Sequence, residues 1–360
     1  MSALGEMFSA DFAEARARFL TAAKAASAEV VTVDNPARGP GGLLLSTDVV
    51  RIGPRDATRI VMAVSGTHGV EGFAGSAAQV AWLRGRRSLP DGVAVVLVHA
   101  INPFGFAWLR RVSEDNVDVN RNFVDHARSH PANALYDEIA EVMLPARWNE
   151  NSLAKLRMAL EKLVQKHGPG ADLRVGSGQY AHPKGLFYGG REPVWSNKTL
   201  TAIARKFLAG ARHVAYVDFH TGLGPYGHGE AICYHAPRTP AFEAARRWYG
   251  AGITSPHAGN SASPMNAGKT GYGVMSSLPK AQVVCVTLEF GTYQGSRVLG
   301  AIVADGWLHT FGDLDTDKGR QIKAEMREAF YPDKDDWKDM VARRSDEILR
   351  QAVEGVARET

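Results

Sequence analysis

The stretch Arg59-Ile60-Val61-Met62-Ala63-Val64-Ser65-Gly66-Thr67-His68-Gly69-Val70-Glu71-Gly72 decides how this 360-residue chain is read. Its first six residues are mostly apolar and rich in β-branched side chains, the pattern of a buried strand. Gly66 and Gly69 break that strand, and the Ala-rich run 73–83 reads as a helix. His68 therefore falls where a strand ends, and Glu71 where a helix begins. Imidazole nitrogen and carboxylate oxygen both bind zinc at about 2.0–2.2 Å, so the pair is a candidate for the first two ligands of a metal. The plainer reading is a loop histidine beside a glutamate that complements the helix dipole. A third ligand and a base are needed to displace it.

Outward from this turn the chain alternates. Helix is expected over 10–27, then strands over 29–33, 43–52 and 59–64, helix over 72–83 and strand over 93–99. Helices follow within 131–167. Residues 168–197 hold seven glycines and three prolines and read as a long functional or capping loop. Helix over 198–208, strand over 213–219, helix over 240–249 and strand over 282–290 come next. Helices over 296–309, 315–330 and 337–357 complete the pattern. Strands separated by helices predict a central mixed, largely parallel sheet covered on both faces, an α/β/α sandwich. No linker-like stretch divides the chain. One domain over 1–360 is expected, with an inserted helical and loop segment at about 128–197.

Composition narrows the function. The net charge is +4 and no run of five or six like charges occurs, so neither nucleic acid nor an acidic membrane is implied as a partner. Cys233 and Cys285, the two cysteines, lie in apolar stretches and read as buried small hydrophobes. Residues 1–31 carry early acidic groups and an amphipathic pattern (Phe8, Phe12, Ala15, Phe19), which does not suit a signal peptide. Eighteen consecutive apolar residues occur nowhere, so no transmembrane span is expected and the cytoplasm is the expected location. A homo-oligomer is compatible with all of this.

The third ligand has a candidate in His220. It lies at the carboxyl end of the strand pattern His213 to Phe219, and open α/β sheets bind ligands just outside the carboxyl ends of their strands. His99 also ends a strand, and an isolated His220 would read as a hydrogen-bonded structural histidine. A base is offered by Glu289, at the end of the apolar strand Val283 to Leu288. A carboxylate there costs free energy unless paired or set in a polar cavity. It is either salt-bridged to an arginine or a general base that takes a proton from water. The loop from Asn102 to Phe123 adds Arg110, Arg111 and Arg121, whose guanidinium groups suit an oxyanion and a substrate carboxylate. For Arg110, pairing with Glu114, Asp115 or Asp118 is an equal reading; for Arg121, function is favoured.

His68-x-x-Glu71, the Asn102-Pro103-x-Gly105 turn, Asp118-Val119-Asn120-Arg121-Asn122-Phe123, Asp218-Phe219-His220-Thr221 and Thr287-Leu288-Glu289-Phe290-Gly291 stand in the order seen in zinc carboxypeptidases. Over 59–293 the chain resembles the carboxypeptidase A-like superfamily, which includes aspartoacylase and succinylglutamate desuccinylase, as an atypical branch. The resemblance implies one zinc per chain on His68, Glu71 and His220, with Glu289 as general base and acid. It implies that Asp118 hydrogen-bonds the first zinc histidine and that Arg111, or its neighbour Arg110, stabilises the oxyanion. Asn120 and Arg121 would hold a substrate carboxylate, and Tyr272 would take the place of a mobile tyrosine. The implied reaction is zinc-dependent hydrolysis of an amide next to a free carboxylate, in a small molecule or short peptide. An N-acyl amino acid deacylase is the alternative, and a non-catalytic metal-binding protein of the same fold the third.

Overall fold

The chain is described as a computed structural model over residues 5–85 and 87–360; the part of the N-terminal reading that falls on residues 1–4 lies outside it. The described strands are β1 (Glu29–Arg38), β2 (Leu44–Ile52), β3 (Arg59–Val64), β4 (Val93–His99), β5 (His213–Tyr226), β6 (Gly229–Cys233) and β7 (Gln282–Gly291). They form one sheet in the order β1-β2-β4-β3-β5-β7-β6. The inner pairs β3/β4, β3/β5 and β5/β7 are parallel. The outer pairs β1/β2, β2/β4 and β6/β7 are antiparallel. The parallel strands are buried on both faces, which is why β3, β4 and β7 read as nearly unbroken apolar runs.

The helices begin with α1 (Phe12–Ala25), α2 (Gly72–Arg84), α3 (Pro103–Ala107), α4 (Ala134–Met143), α5 (Ser152–His167), α6 (Ala171–Val175) and α7 (Trp195–Phe207). Then come α8 (Pro240–Tyr249), α9 (Thr270–Ser277), α10 (Gly295–Phe311), α11 (Asp317–Phe330) and α12 (Asp335–Ala357). Helices α1, α2, α8 and α12 cover one face of the sheet, burying Phe19, Phe73, Trp248 and Ile348. Helices α7 and α9 cover the other, over Met62, Leu200, Tyr216 and Val274. A third apolar cluster gathers α4, α5, α6, α10 and α11 around Met143, Leu163, Val298 and Phe330. The architecture is the expected α/β/α sandwich.

The chain passes from β3 through α2 to β4 on one side of β3, and later places β5 on its other side. Strand order reverses there, and the carboxyl ends of β3 and β5 frame the crevice that such a reversal opens. Gly69 lets the turn after His68 close against the next loop, because a Cβ at that position would collide with the backbone of Gly105 and Phe106.

The segment between η-turn residues Val119–Arg121 and α7 leaves the sheet and returns to one place. There the Asn122 carboxamide donates to the carbonyls of Gly189 (2.8 Å) and Glu192 (2.9 Å) and accepts from the Val194 N–H and Asn197 Nδ2, both at 3.0 Å. A single side chain thus ties the start of this excursion to its end.

Some elements differ from expectation. β5 continues to Tyr226 and β6 adds an antiparallel edge strand, in a run whose glycines at 222, 224, 227 and 229 read as loop. Helix α9 holds Gly271 and Gly273, which lower helix propensity, yet Gly273 is required by contact with the Phe123 ring. The glycine-rich 168–197 stretch is less irregular than expected, since α6 lies inside it and α7 starts at Trp195. His99 belongs to the core: its Nε2 is 2.9 Å from Ser76 Oγ, its ring stacks on Phe19, and burial pushes its pKa down to about 4. Cys233 and Cys285 are free and buried. Among the described residues no helix is long and apolar enough to cross a membrane.

Candidate metal and substrate site

His68 and Glu71 occupy the turn after β3, and His220 lies on β5, all three nearly inaccessible to solvent. Their ligating atoms lie within 4.8 Å of one another. His68 Nδ1 is 2.8 Å from Glu71 Oε1 and 3.1 Å from His220 Nδ1, which is itself 3.0 Å from Glu71 Oε2. The far nitrogens face carboxylates: His68 Nε2 is 3.0 Å from Asp118 Oδ1, and His220 Nε2 is 3.0 Å from Asp218 Oδ2. The second contact is close enough for an ion pair but is out of line for a hydrogen bond.

Those carboxylates favour a proton on each Nε2, which leaves both Nδ1 lone pairs turned toward each other and toward Glu71. Three electron-rich groups converging in a buried space repel unless positive charge lies between them. Burial alone would lower the His220 pKa, yet Asp218 and Glu71 outweigh it and pull it up to about 10. Burial alone would raise Glu71, yet His68 and His220 hold it below the usual carboxylate range. Positive charge is therefore favoured inside the cluster, and either a proton on His220 or a bound cation can supply it. Two imidazole nitrogens and a carboxylate, each backed by a second polar group, are a donor set that fits zinc.

Glu289 stands beside His220, because the β5/β7 register pairs the two residues across neighbouring parallel strands. Its Oε1 accepts from the Leu223 N–H at 3.1 Å. Burial first, and the negative Glu71 second, push its carboxyl up to about 7. The two adjacent arginines part company. Arg111 donates to Asp118 Oδ2 at 3.0 Å and to Glu71 Oε1 at 3.2 Å, within the site. Arg110 turns to Asp305 (3.3 Å) and Asn116 (3.1 Å), so it meets neither the cavity nor the acids Glu114, Asp115 and Asp118.

The His68–Glu71–His220 cluster opens into a cavity of about 640 Å³ that Glu289, Arg111, Asn120 and Arg121 also line. Asn120 Oδ1 accepts from the Thr270 N–H at 3.1 Å. Arg121 is held by the carbonyls of Asn120 (2.8 Å) and Gly176 (2.7 Å), while its Nε has no partner. With its amide oriented by its neighbours, Asn266 accepts from Arg121 Nη2 at 3.2 Å. Among the described residues no carboxylate pairs with Arg121, which is 4 % exposed. Tyr272 does not join them: it packs on α9 against Tyr234, with ring centroids 5.8 Å apart, and among the described residues no tyrosine lines the cavity.

Two residues were given no role by the sequence reading, although Asp218 stands in one of its motifs. Asp218 backs His220 and is itself gripped by Thr67 Oγ1 (2.8 Å) and Thr270 Oγ1 (2.7 Å). Its signal was available, since positions 218 and 220 share one face of a strand. Lys269 lines the cavity near Arg121 at 4 % exposure, its Nζ 4.4 Å from the centroid of the Tyr234 ring. Burial, then the neighbouring Arg121 charge, lower its pKa to about 8. Nothing in the local sequence marks it, because its burial depends on β6 and α9. Arg121 and Lys269 together give the cavity a positive wall.

The profile of the family described as "Protein of unknown function (DUF2817)" matches residues 8–344. A search of curated proteins finds no match. Similar solved structures include succinylglutamate desuccinylase from Chromobacterium violaceum, at 17% identity over 88% of this chain and 73% of that one, with a TM-score of 0.36. An aspartoacylase family protein from Mesorhizobium loti shares 13% identity over 81% of this chain and 68% of its own, with a TM-score of 0.37. Thrombin activatable fibrinolysis inhibitor shares 12% identity over 100% of this chain and 77% of its own, with a TM-score of 0.49.

Proposed function

The chain belongs to the DUF2817 family, and we propose that it is a zinc-dependent hydrolase that cleaves an amide bond next to a free carboxylate. The observation that carries this reading is the grouping, in one cavity, of a His68–Glu71–His220 cluster able to hold a cation, an adjacent Glu289 and the buried cations Arg121 and Lys269, which among the described residues have no carboxylate in salt-bridge contact. The resemblance of five ordered motifs to zinc carboxypeptidases supports it.

A zinc ion held by His68, Glu71 and His220 would polarise the scissile carbonyl and lower the pKa of water toward 7. Asp118 and Asp218 fix the rings of the two histidines so that both Nδ1 atoms face inward. Glu289 takes a proton from the attacking water and delivers it to the leaving nitrogen, a task that suits a carboxyl raised to about 7. Arg111 faces the carbonyl oxygen as charge develops there, and a donor of this kind contributes about 3–4 kcal/mol. Asn120, Arg121 and Lys269 hold the carboxylate of the leaving half. Peptidase and deacylase share every one of these roles.

The test is hydrolysis by zinc-loaded protein of N-acyl amino acids and short peptides, each with a free or an amidated carboxylate. Free carboxylates should be cleaved and amidated ones spared. Glu289→Gln should keep the fold and the metal while turnover falls by about 10²–10⁴-fold. Retention of more than a tenth of the activity would move the base elsewhere.

A further inference from the structure

One part of the cavity has no task in that reaction. Besides the His68–Glu71–His220 cluster and the Arg121–Lys269 wall, the cavity has an aliphatic lining that comes from the excursion tied at Asn122 and from α10. Met143, Leu160, Val164, Val175, Val298 and Ile302 form this wall, with Phe187 and Phe330 where it meets the cluster. Leu160, Val164 and Leu299 are only half-buried: they pack against the third apolar cluster and also line the cavity. Exposed Arg157, Glu161 and Gln165 stand on α5 at the mouth.

We infer that this chamber is an acyl subsite, and that the substrate is an N-acyl amino acid with an aliphatic acyl chain; the inference rests on the hydrolase reading above. The charge pattern supplies the polarity: an anionic end meets Arg121 and Lys269, the amide lies at the metal cluster, and hydrocarbon fills the aliphatic chamber. Chemistry separates an acyl chain from a peptide. A peptide would bring an N–H and a C=O with every residue, and each needs a partner when buried. The chamber's wall is built chiefly on α5 and α10, whose backbone groups are already spent within the helices. Among the described residues no free strand edge lies there, and the polar side chains of α5, α6 and α10 that line the cavity are Arg157, Glu161, Gln165, Asp172 and Ser296. A hydrocarbon chain asks for none. In the reaction water adds across the amide, the acyl carbon gaining its oxygen while the C–N bond breaks. A fatty carboxylate and a free amino acid result, and the proton that Glu289 removed ends on the amine.

The test is calorimetric binding of acetate, octanoate and dodecanoate to zinc-loaded protein, beside hydrolysis of N-acetyl-, N-octanoyl- and N-dodecanoyl-alanine and of hydrophobic tripeptides. Transfer of each methylene from water should tighten binding roughly three- to fourfold until the chamber is full. Octanoate should then bind at least a hundredfold more tightly than acetate. Leu160→Asp and Leu299→Asp, both at half-buried helix positions, should each cut that ratio at least tenfold with the melting curve preserved. Binding that ignores chain length would overturn the acyl subsite, even if N-acetyl-alanine were cleaved. Tripeptides cleaved faster than N-octanoyl-alanine would overturn it in favour of a peptidase. Length-dependent binding without any amide hydrolysis would uphold the subsite and overturn the hydrolase reading instead.

Discussion

Arg121 and Lys269 show how far a residue's role depends on its surroundings. Both are buried cations that face the cavity, and among the described residues neither has a carboxylate in salt-bridge contact. An anionic ligand would relieve both, so the pair should control substrate binding more than turnover. The Lys269 pKa of about 8 sets a pH signature. Below that value the ammonium is charged and, on the proposed function, would hold the substrate carboxylate; above it the charge is lost, so KM should rise as pH passes through about 8. Lys269→Arg should carry this limb to higher pH, and Lys269→Met should weaken binding by about 30-fold or more below pH 8 and progressively less above it. A limb left in place by Lys269→Arg would assign the titration to another group. At this scale the sequence was informative wherever chemistry and strand ends coincided, as at His68, Glu71, His220 and Glu289. It could not separate Arg110 from Arg111, because that choice is made by Asp305 on a helix far along the chain. Tyr272 sat in a glycine-flanked run that reads as loop, whereas α9 turns it toward Tyr234.

Strands with continuous apolar runs announced themselves, and β3 and β4 fall where their patterns place them. Elements whose stability comes from distant contacts did not. β6 is stabilised by pairing with β7 rather than by β-branched content of its own. The excursion between Phe123 and α7 read as helices and a capping loop, but not as one wall of the cavity. Its attachment can be tested at Asn122. Asn122→Ala removes the carboxamide's hydrogen bonds to Gly189, Glu192, Val194 and Asn197 and its longer contact with His126. Buried partners left unpaired should make the loss about 2–4 kcal/mol. A lower melting temperature and faster proteolysis within 124–193 are expected. An unchanged melt together with an unchanged digestion pattern would show that the excursion is held by other contacts.

For the molecule as a whole, the cluster joins sites distant in sequence only after β3 and β5 have paired. The unfolded chain presents no such constellation, so metal binding and folding should be linked. Zinc at about a thousandfold above its dissociation constant would then stabilise the fold by about 4 kcal/mol. Chelation should lower the melting temperature, zinc should restore it, and His220→Ala should abolish the response while leaving the metal-free melt similar. A full zinc response in His220→Ala would rule that residue out as a ligand. The α/β/α layering and order of this assembly were legible because the core strands carry their own hydrophobic signature; the shape of the cavity was not, because three separate chain regions meet there. The staple at Asn122 has an evolutionary consequence. Since the two ends of the excursion meet at one point, its intervening length can grow, shrink or be exchanged at little entropic cost to the remainder. Descendants of one ancestor could thus keep the strand-borne cluster and diverge in diet, by trading a cassette that meets the site chiefly through Gly176, Phe187 and Tyr188.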